Sequence, residues 1–263
     1  MWASLAISIL RKTCGVLHSL RGQRFLAWLI ALTLIAADIA LVGQHALARY
    51  QTYHAYAFDL GNMDQAVWNT LHGHPFRFTN RGIDWFGPPT RLGVHVEPIL
   101  FLIAPLYLLH AGPETLILLQ TIALALGGIP LLLLGLRRLP EVPLVATAFV
   151  GAYLTTPEIL GEALWEFHGV TLATPLLLLA LWALDARRYR WFAVGAVLAA
   201  LCKEDVALSL VPLGLFIAFF TQYPVSFYIT TIVFVLYLGV RFTKQVRGTR
   251  TLYREVPQAT SAI

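Results

Sequence analysis

Apolar residues along this chain gather in runs separated by short polar stretches. The runs extend from about Phe25 to Gln44, Thr115 to Leu136, Val142 to Thr156, Val170 to Leu184, Trp191 to Leu201, Val206 to Phe220 and Ser226 to Val240. A helix needs about 20 mainly apolar residues to cross the hydrocarbon core of a bilayer, so the pattern predicts an all-α fold, a polytopic transmembrane helix bundle of about six or seven spans. Residues 98–110 are apolar but too short to span, and Pro105 interrupts them, which suits an interfacial or re-entrant helix. The first and second spans are separated by a long polar loop, residues 48–113, expected to fold on itself. The organisation expected is a cytoplasmic segment over 1–24 that includes a surface-lying helix, a transmembrane domain over 25–240 and a basic tail over 241–263. At Lys203-Glu204-Asp205 two arrangements are open: short tilted helices meeting at the triplet, or one long helix carrying it at mid-depth.

Composition strengthens the membrane assignment. Apolar residues make up 58% of the chain and charged ones 13%, where a soluble domain has about a quarter charged. The net charge of +5 lies in short clusters beside the apolar runs, a pattern that orients membrane helices and gives no reason to expect nucleic acid. Arg11, Lys12, Arg21 and Arg24 precede the first run, Arg137 and Arg138 end the second, and Arg187, Arg188 and Arg190 follow Leu184. Basic residues next to spans stay inside. All these clusters agree on a cytoplasmic N-terminus and an outer loop 48–113, in a multi-pass protein whose partner is the lipid bilayer. A hairpin at Lys203 would put the tail outside, and a single broken helix would put it inside. No signal-peptide cleavage site is evident, because the short run Trp2 to Leu10 precedes its basic pair. Cys14 and Cys202 offer neither a disulfide framework nor paired metal-ligand spacing, and read as small apolar residues.

Polar residues then single out the outer side. Every histidine but His18 falls there, with Asp59, Asp64, Asp84, Glu97, Glu114, Glu158, Glu162 and Glu166. The loop is also rich in aromatics (Tyr50, Tyr53, Tyr56, Phe58, Trp68, Phe76, Phe78, Trp85, Phe86), and long loops are often functional. Within it, Leu60, Met63, Val67 and Leu71 follow the spacing of one buried helix face, with Gly73 as a stop. Asp59 is either the N-cap of that helix or a catalytic base, and Asp64 lies off the stripe as a surface carboxylate. In Arg91-Leu92-Gly93-Val94-His95-Val96-Glu97-Pro98, an extended chain would point His95 and Glu97 to one side, as a single metal or proton relay needs. Glu158, Glu162 and Glu166 would share a helix face after Pro157, beside His168, and would need a compensating cation or full solvation. Lys203 is costly between apolar runs unless Glu204 and Asp205 or a lipid-linked phosphate balance it. Whether a divalent metal takes part is left open.

Several stretches together resemble a prokaryotic membrane family, the domain of unknown function 2079. They are Phe58-Asp59-Leu60-Gly61 with Asp64-Gln65 and Trp68-Asn69, Arg91-Leu92-Gly93 with His95 and Pro98-Ile99-Leu100, Trp165-Glu166-Phe167-His168, and Leu201-Cys202-Lys203-Glu204-Asp205. That family in turn resembles the C-type glycosyltransferases, multi-span enzymes that take a sugar from a polyprenyl-phosphate donor at the outer membrane face. The resemblance covers roughly residues 25–220 and implies the plasma membrane of a prokaryote. Members are usually longer, so it implies an N-terminal or shortened form, and Gly169 follows His168 where a Pro-Glu pair is typical. It also implies Asp59 as the catalytic base and Lys203 as a lipid-phosphate contact. Asp64, Arg91, His95, Glu97, Glu166 and His168 complete the expected substrate-binding set. The competing expectation is a non-catalytic membrane protein: a truncated relative, an assembly subunit or a transporter fragment. Transport is the weaker of these, since Asp38 is the only acid well inside a clear span.

Overall fold

The computed structural model describes residues 19–55, 57–79 and 89–212. Most of the expected surface helix, the apolar run 226–240, the tail 241–263 and Arg81, Asp84, Trp85 and Phe86 lie outside these residues. Among the described residues the secondary structure is helical apart from an isolated bridge between Arg77 and Thr90.

Helix α1 runs over Leu20–Gln51, 32 residues, and so exceeds the expected span at both ends. Ser19 caps its start, accepting a hydrogen bond from the Gly22 amide at 3.0 Å. At 1.5 Å per residue this helix is about 48 Å long, well beyond a hydrocarbon core of about 30 Å. Helix α4 (Pro113–Leu126) and α5 (Gly128–Arg138) form the other stretch long and apolar enough to cross a membrane, interrupted near Gly127. Among the described residues two helices therefore pass that test of length and composition. The other apolar helices among the described residues are shorter than a span needs: α6 (Val145–Leu154), α8 (Ala173–Asp185, entered through a 3₁₀ turn at Gly169–Leu172) and α9 (Tyr189–Ala200). Pro105 breaks the segment expected to lie at the interface, leaving α3 (Ile99–Ile103) followed by a 3₁₀ turn, Ala104–Leu108.

The chain divides into two compact units, one of residues 1–55, 117–166 and 174–195, the other of 56–116, 167–173 and 196–263. In the first, α1, α5, α6 and α7 (Pro157–Leu164) pack on one another. Their core is built from small and branched residues: Ala27, Ala31, Ile35, Ala125, Leu132, Ala146, Val150 and Leu154. Small residues let helix backbones approach closely, which is how helices associate in lipid. A Cβ added at Gly135 would stand 2.7 Å from the Ala146 Cβ. Outside this seam α1 leaves large apolar side chains uncovered, with Phe25 70% and Leu41 61% exposed. An apolar helix whose outer face is uncovered is suited to an apolar solvent, whereas a core helix of a soluble protein would be enclosed.

In the second unit α2 (Ala57–Leu71) packs on α3 and the Ala104–Leu108 turn. Leu60, Met63 and Val67 are buried, as their spacing predicts. Gly73 follows with φ +82°, a left-handed conformation that stops a helix and suits glycine.

Two expectations are corrected here, and one open alternative is decided. Helix α2 begins at Ala57, so Asp59 lies inside its first turn and is not the N-cap. Helix α7 ends at Leu164 because Trp165 turns to extended backbone (φ −83°, ψ 175°), so Glu166 leaves the face that carries Glu158 and Glu162. The Lys203-Glu204-Asp205 triplet sits in a turn after α9, and a new helix begins at Val206, so no single helix carries it.

Candidate functional site

The second unit holds most of the candidate residues, and local bonding explains how they are positioned. The chain after α2 folds back onto that helix. Gln65 accepts hydrogen bonds from both the amide and the hydroxyl of Thr79, each at 2.8 Å. Thr70 accepts from the Phe76 amide at 2.8 Å, and Asn69 donates to the Arg77 carbonyl at 2.9 Å. Phe76 and Phe78 are thereby buried, and the Phe76 ring meets that of Phe101, with centroids 4.4 Å apart. The Arg91 amide then bonds the Phe76 carbonyl, fixing the start of the 3₁₀ turn Arg91–Gly93.

From that turn the Arg91 guanidinium donates twice to one oxygen of Glu97, at 3.1 and 2.8 Å, and both side chains are buried. His95 and Glu97 do not face one site: Glu97 goes inward to Arg91, while His95 Nδ1 lies 3.0 Å from Glu204. Charge decides this, because a carboxylate entering the interior must take its counter-ion with it. Glu204 also accepts from the Val96 amide at 2.8 Å, and the Ile99 amide donates to the Leu201 carbonyl. The turn after α9 is thus clamped onto residues 95–99. Gly169 lies in the same place: a Cβ there would contact the Cys202 carbonyl at 3.4 Å and Glu97 at 3.5 Å. Lys203 Nζ pairs with Asp205 at 3.2 Å.

Asp59, in the first turn of α2, lies 3.8 Å from His168 Nε2. Both side chains are part-exposed, 42% for Asp59 and 30% for His168, and their separation is that of an ion pair rather than a hydrogen bond. The Asp59 charge complements the positive end of its helix. One and a half turns on, Asp64 is not the solvated carboxylate expected: its Oδ1 accepts from the Tyr107 hydroxyl at 2.7 Å. Burial raises the Asp64 pKa above the usual carboxylate value, the Tyr107 hydrogen bond opposes that, and the nearby Glu114 charge adds to it. For Glu204 burial acts upward, but the bonds from His95 and Val96 prevail, and its pKa is lowered. Glu166 belongs to the first unit, where it is buried with Arg49 Nη2 at 3.8 Å. Among the described residues no group of three or more histidine, cysteine, aspartate or glutamate side chains is placed to hold a metal ion.

The family model described as "Predicted membrane protein (DUF2079)" matches residues 49–246. The chain belongs to this family. The DUF2079 match spans every motif stretch named above, so these contacts are those of a membrane-protein family and the bilayer is its setting. No curated protein and no solved structure matches the chain.

Two functional candidates escaped sequence reasoning. Asn62 is buried, and its Oδ1 finds no hydrogen-bond partner among the described residues. Its position beside the Leu60–Met63–Val67 stripe was the available signal. Tyr107 looked like part of an apolar run, and nothing in its local sequence reveals that it reaches Asp64.

Proposed function

We propose that this DUF2079 protein is a glycosyltransferase-like enzyme that moves a sugar from a polyprenyl-phosphate donor to an acceptor hydroxyl at the outer membrane face. The observation that carries the reading is the approach of Asp59 to His168, an accessible acid–base pair assembled from distant parts of the sequence. In this reaction the acceptor oxygen bonds to the anomeric carbon as the bond from that carbon to the phosphate oxygen breaks. The electron pair leaves with the lipid phosphate. The hydroxyl proton passes to the Asp59 carboxylate, with His168 in position to share it. Lys203 is the cation for the departing phosphate, exchanging Asp205 for it as charge develops. Arg91 has a different part: its guanidinium is committed to Glu97, so it holds the site's frame and does not meet the donor. Asp64 and His95 lie in the same unit and are assigned to acceptor binding.

A second reading, a non-catalytic membrane protein, is favoured by the pairing of the other charges in this unit, Arg91 with Glu97, His95 with Glu204 and Lys203 with Asp205. The two separate in one experiment. The full chain is produced in native membranes, these are given a panel of radiolabelled polyprenyl-phosphate sugars, and transfer to the acceptors the membranes contain is followed against membranes without the protein. Asp59→Asn should lower transfer by about 10²–10⁴-fold, the range of a positioned general base. His168→Gln should lower it less and displace the pH profile. Transfer by Asp59→Asn at the parental rate sinks the assignment, and no transfer by the parent from any donor favours the non-catalytic reading.

A further inference from the structure

Away from these residues, the first unit contains a cavity of about 570 Å³. Its size lies within the roughly 300–1,000 Å³ usual for small-molecule sites. Arg24 and Trp28 enter it from α1, Leu136 and Arg137 from α5, and Trp182 and Arg188 from the end of α8 and the turn beyond. The three arginines come from the three basic clusters that the positive-inside pattern places on the cytoplasmic side. Their charges are unequally committed. Asp185 accepts from Arg137 Nε at 2.8 Å and also pairs with Arg138, which neutralises that pair in part. The Arg188 guanidinium stands 6.0 Å over the Trp182 ring. Among the described residues no carboxylate lies within ion-pair distance of Arg24 or Arg188.

The cavity therefore joins a surplus of guanidinium charge to an apolar, tryptophan-bearing wall. A guanidinium fork matches phosphate oxygens in a bidentate way. Tryptophan settles at the level of lipid headgroups. On α1, Phe25 and Leu29 each follow a lining residue, Arg24 and Trp28, and are uncovered, which offers a path for hydrocarbon. We propose that this cavity is a phosphate site for an anionic phospholipid of the inner leaflet, held by Arg24 and Arg188 with its acyl chains along α1. It is independent of the sugar-transfer reading, since it shares no residue with that site.

The test uses the full chain, purified in detergent and exchanged into nanodiscs of phosphatidylcholine with or without phosphatidylglycerol, with retained lipid read by mass spectrometry. The parent should keep phosphatidylglycerol in preference to phosphatidylcholine. Arg24→Gln and Arg188→Gln should each weaken that preference about fivefold, as removal of one basic residue near an anionic surface does. Arg190→Gln, outside the cavity, should leave it unchanged. Arg24→Lys with Arg188→Lys keeps the charge and controls for folding; it should retain part of the preference, and gel filtration checks that each variant is monodisperse. Two further arms add inorganic phosphate or a soluble glycerophosphodiester as competitor. Failure of both to displace the lipid at equal concentration supports a tailed ligand. Equal displacement by inorganic phosphate would overturn the lipid assignment, as would an undiminished preference in a folded variant that combines Arg24→Gln with Arg188→Gln.

Discussion

Removing the Glu97 carboxylate leaves the Arg91 guanidinium buried without its counter-charge, and the structure sets the size of the effect. Arg91 is 9% and Glu97 3% exposed at the side chain, and two donors converge on one oxygen. Water cannot take the place of the lost acceptor without opening the turn at Arg91–Gly93, which is itself tied to Phe76. Breaking such a pair from one side costs about 3–5 kcal/mol, mostly the penalty of an uncompensated charge. Glu97→Ala should therefore lose about that much stability. Glu97→Gln keeps an acceptor but not the charge, and should recover about 1.5–3 kcal/mol of what Glu97→Ala loses, the worth of a hydrogen bond to a charged group. The joint replacement Arg91→Met with Glu97→Leu removes both charges at similar volume and should be nearly neutral.

The measurement is reversible unfolding in mixed micelles, in which the parent, Arg91→Met, Glu97→Leu and the joint variant form a double-mutant cycle and the Ala and Gln variants are read beside it. Two outcomes would refute the reasoning. A Glu97→Ala protein within about 1 kcal/mol of the parent would mean that the pair is solvated in the working protein. A joint variant less stable than either single one would mean that the pair contributes net stability, contrary to the expectation for buried ion pairs.

At the α5–α6 crossing, Gly135→Leu forces atoms where a Cβ already stands 2.7 Å from Ala146 Cβ, and should cost about 1–3 kcal/mol. Thermal unfolding reads the loss, and the added replacement Ala146→Gly should restore part of it. The Glu204 clamp gives a pH dependence with a definite sign. Its folded pKa is lowered, so its contribution is complete above the ordinary carboxylate value of 4.5 and disappears as pH falls through the lower folded value. Glu204→Gln should flatten the stability profile of the parent in that acid range and leave a constant difference above it; parallel profiles at all pH values would show that the clamp does not titrate.

Legibility in the sequence follows the range of the interaction. The α2 stripe, its stop at Gly73 and the break at Pro105 are local, set by periodicity and backbone preference, and the structure has each where the residues put it. The pairing of charges is not local. His95 and Glu97 are two apart, yet their partners are Glu204 and Arg91, chosen by which side chain is carried inward and which stays at the surface. Nothing in a stretch of eight residues encodes that choice; it is made by the fold that brings the turn after α9 against residues 95–99. Glu166 fails for a related reason, since the extended backbone at Trp165 takes it off the glutamate face and sends it to Arg49. The acid–base pair is the instructive case. Asp59 and His168 are each singled out by type and resemblance, but only the fold brings them to 3.8 Å of one another. A carboxylate alone could cap, solvate or catalyse. Beside an accessible imidazole, the proposed reaction has it accept a proton and pass it on, and that difference is what the mutant kinetics would measure.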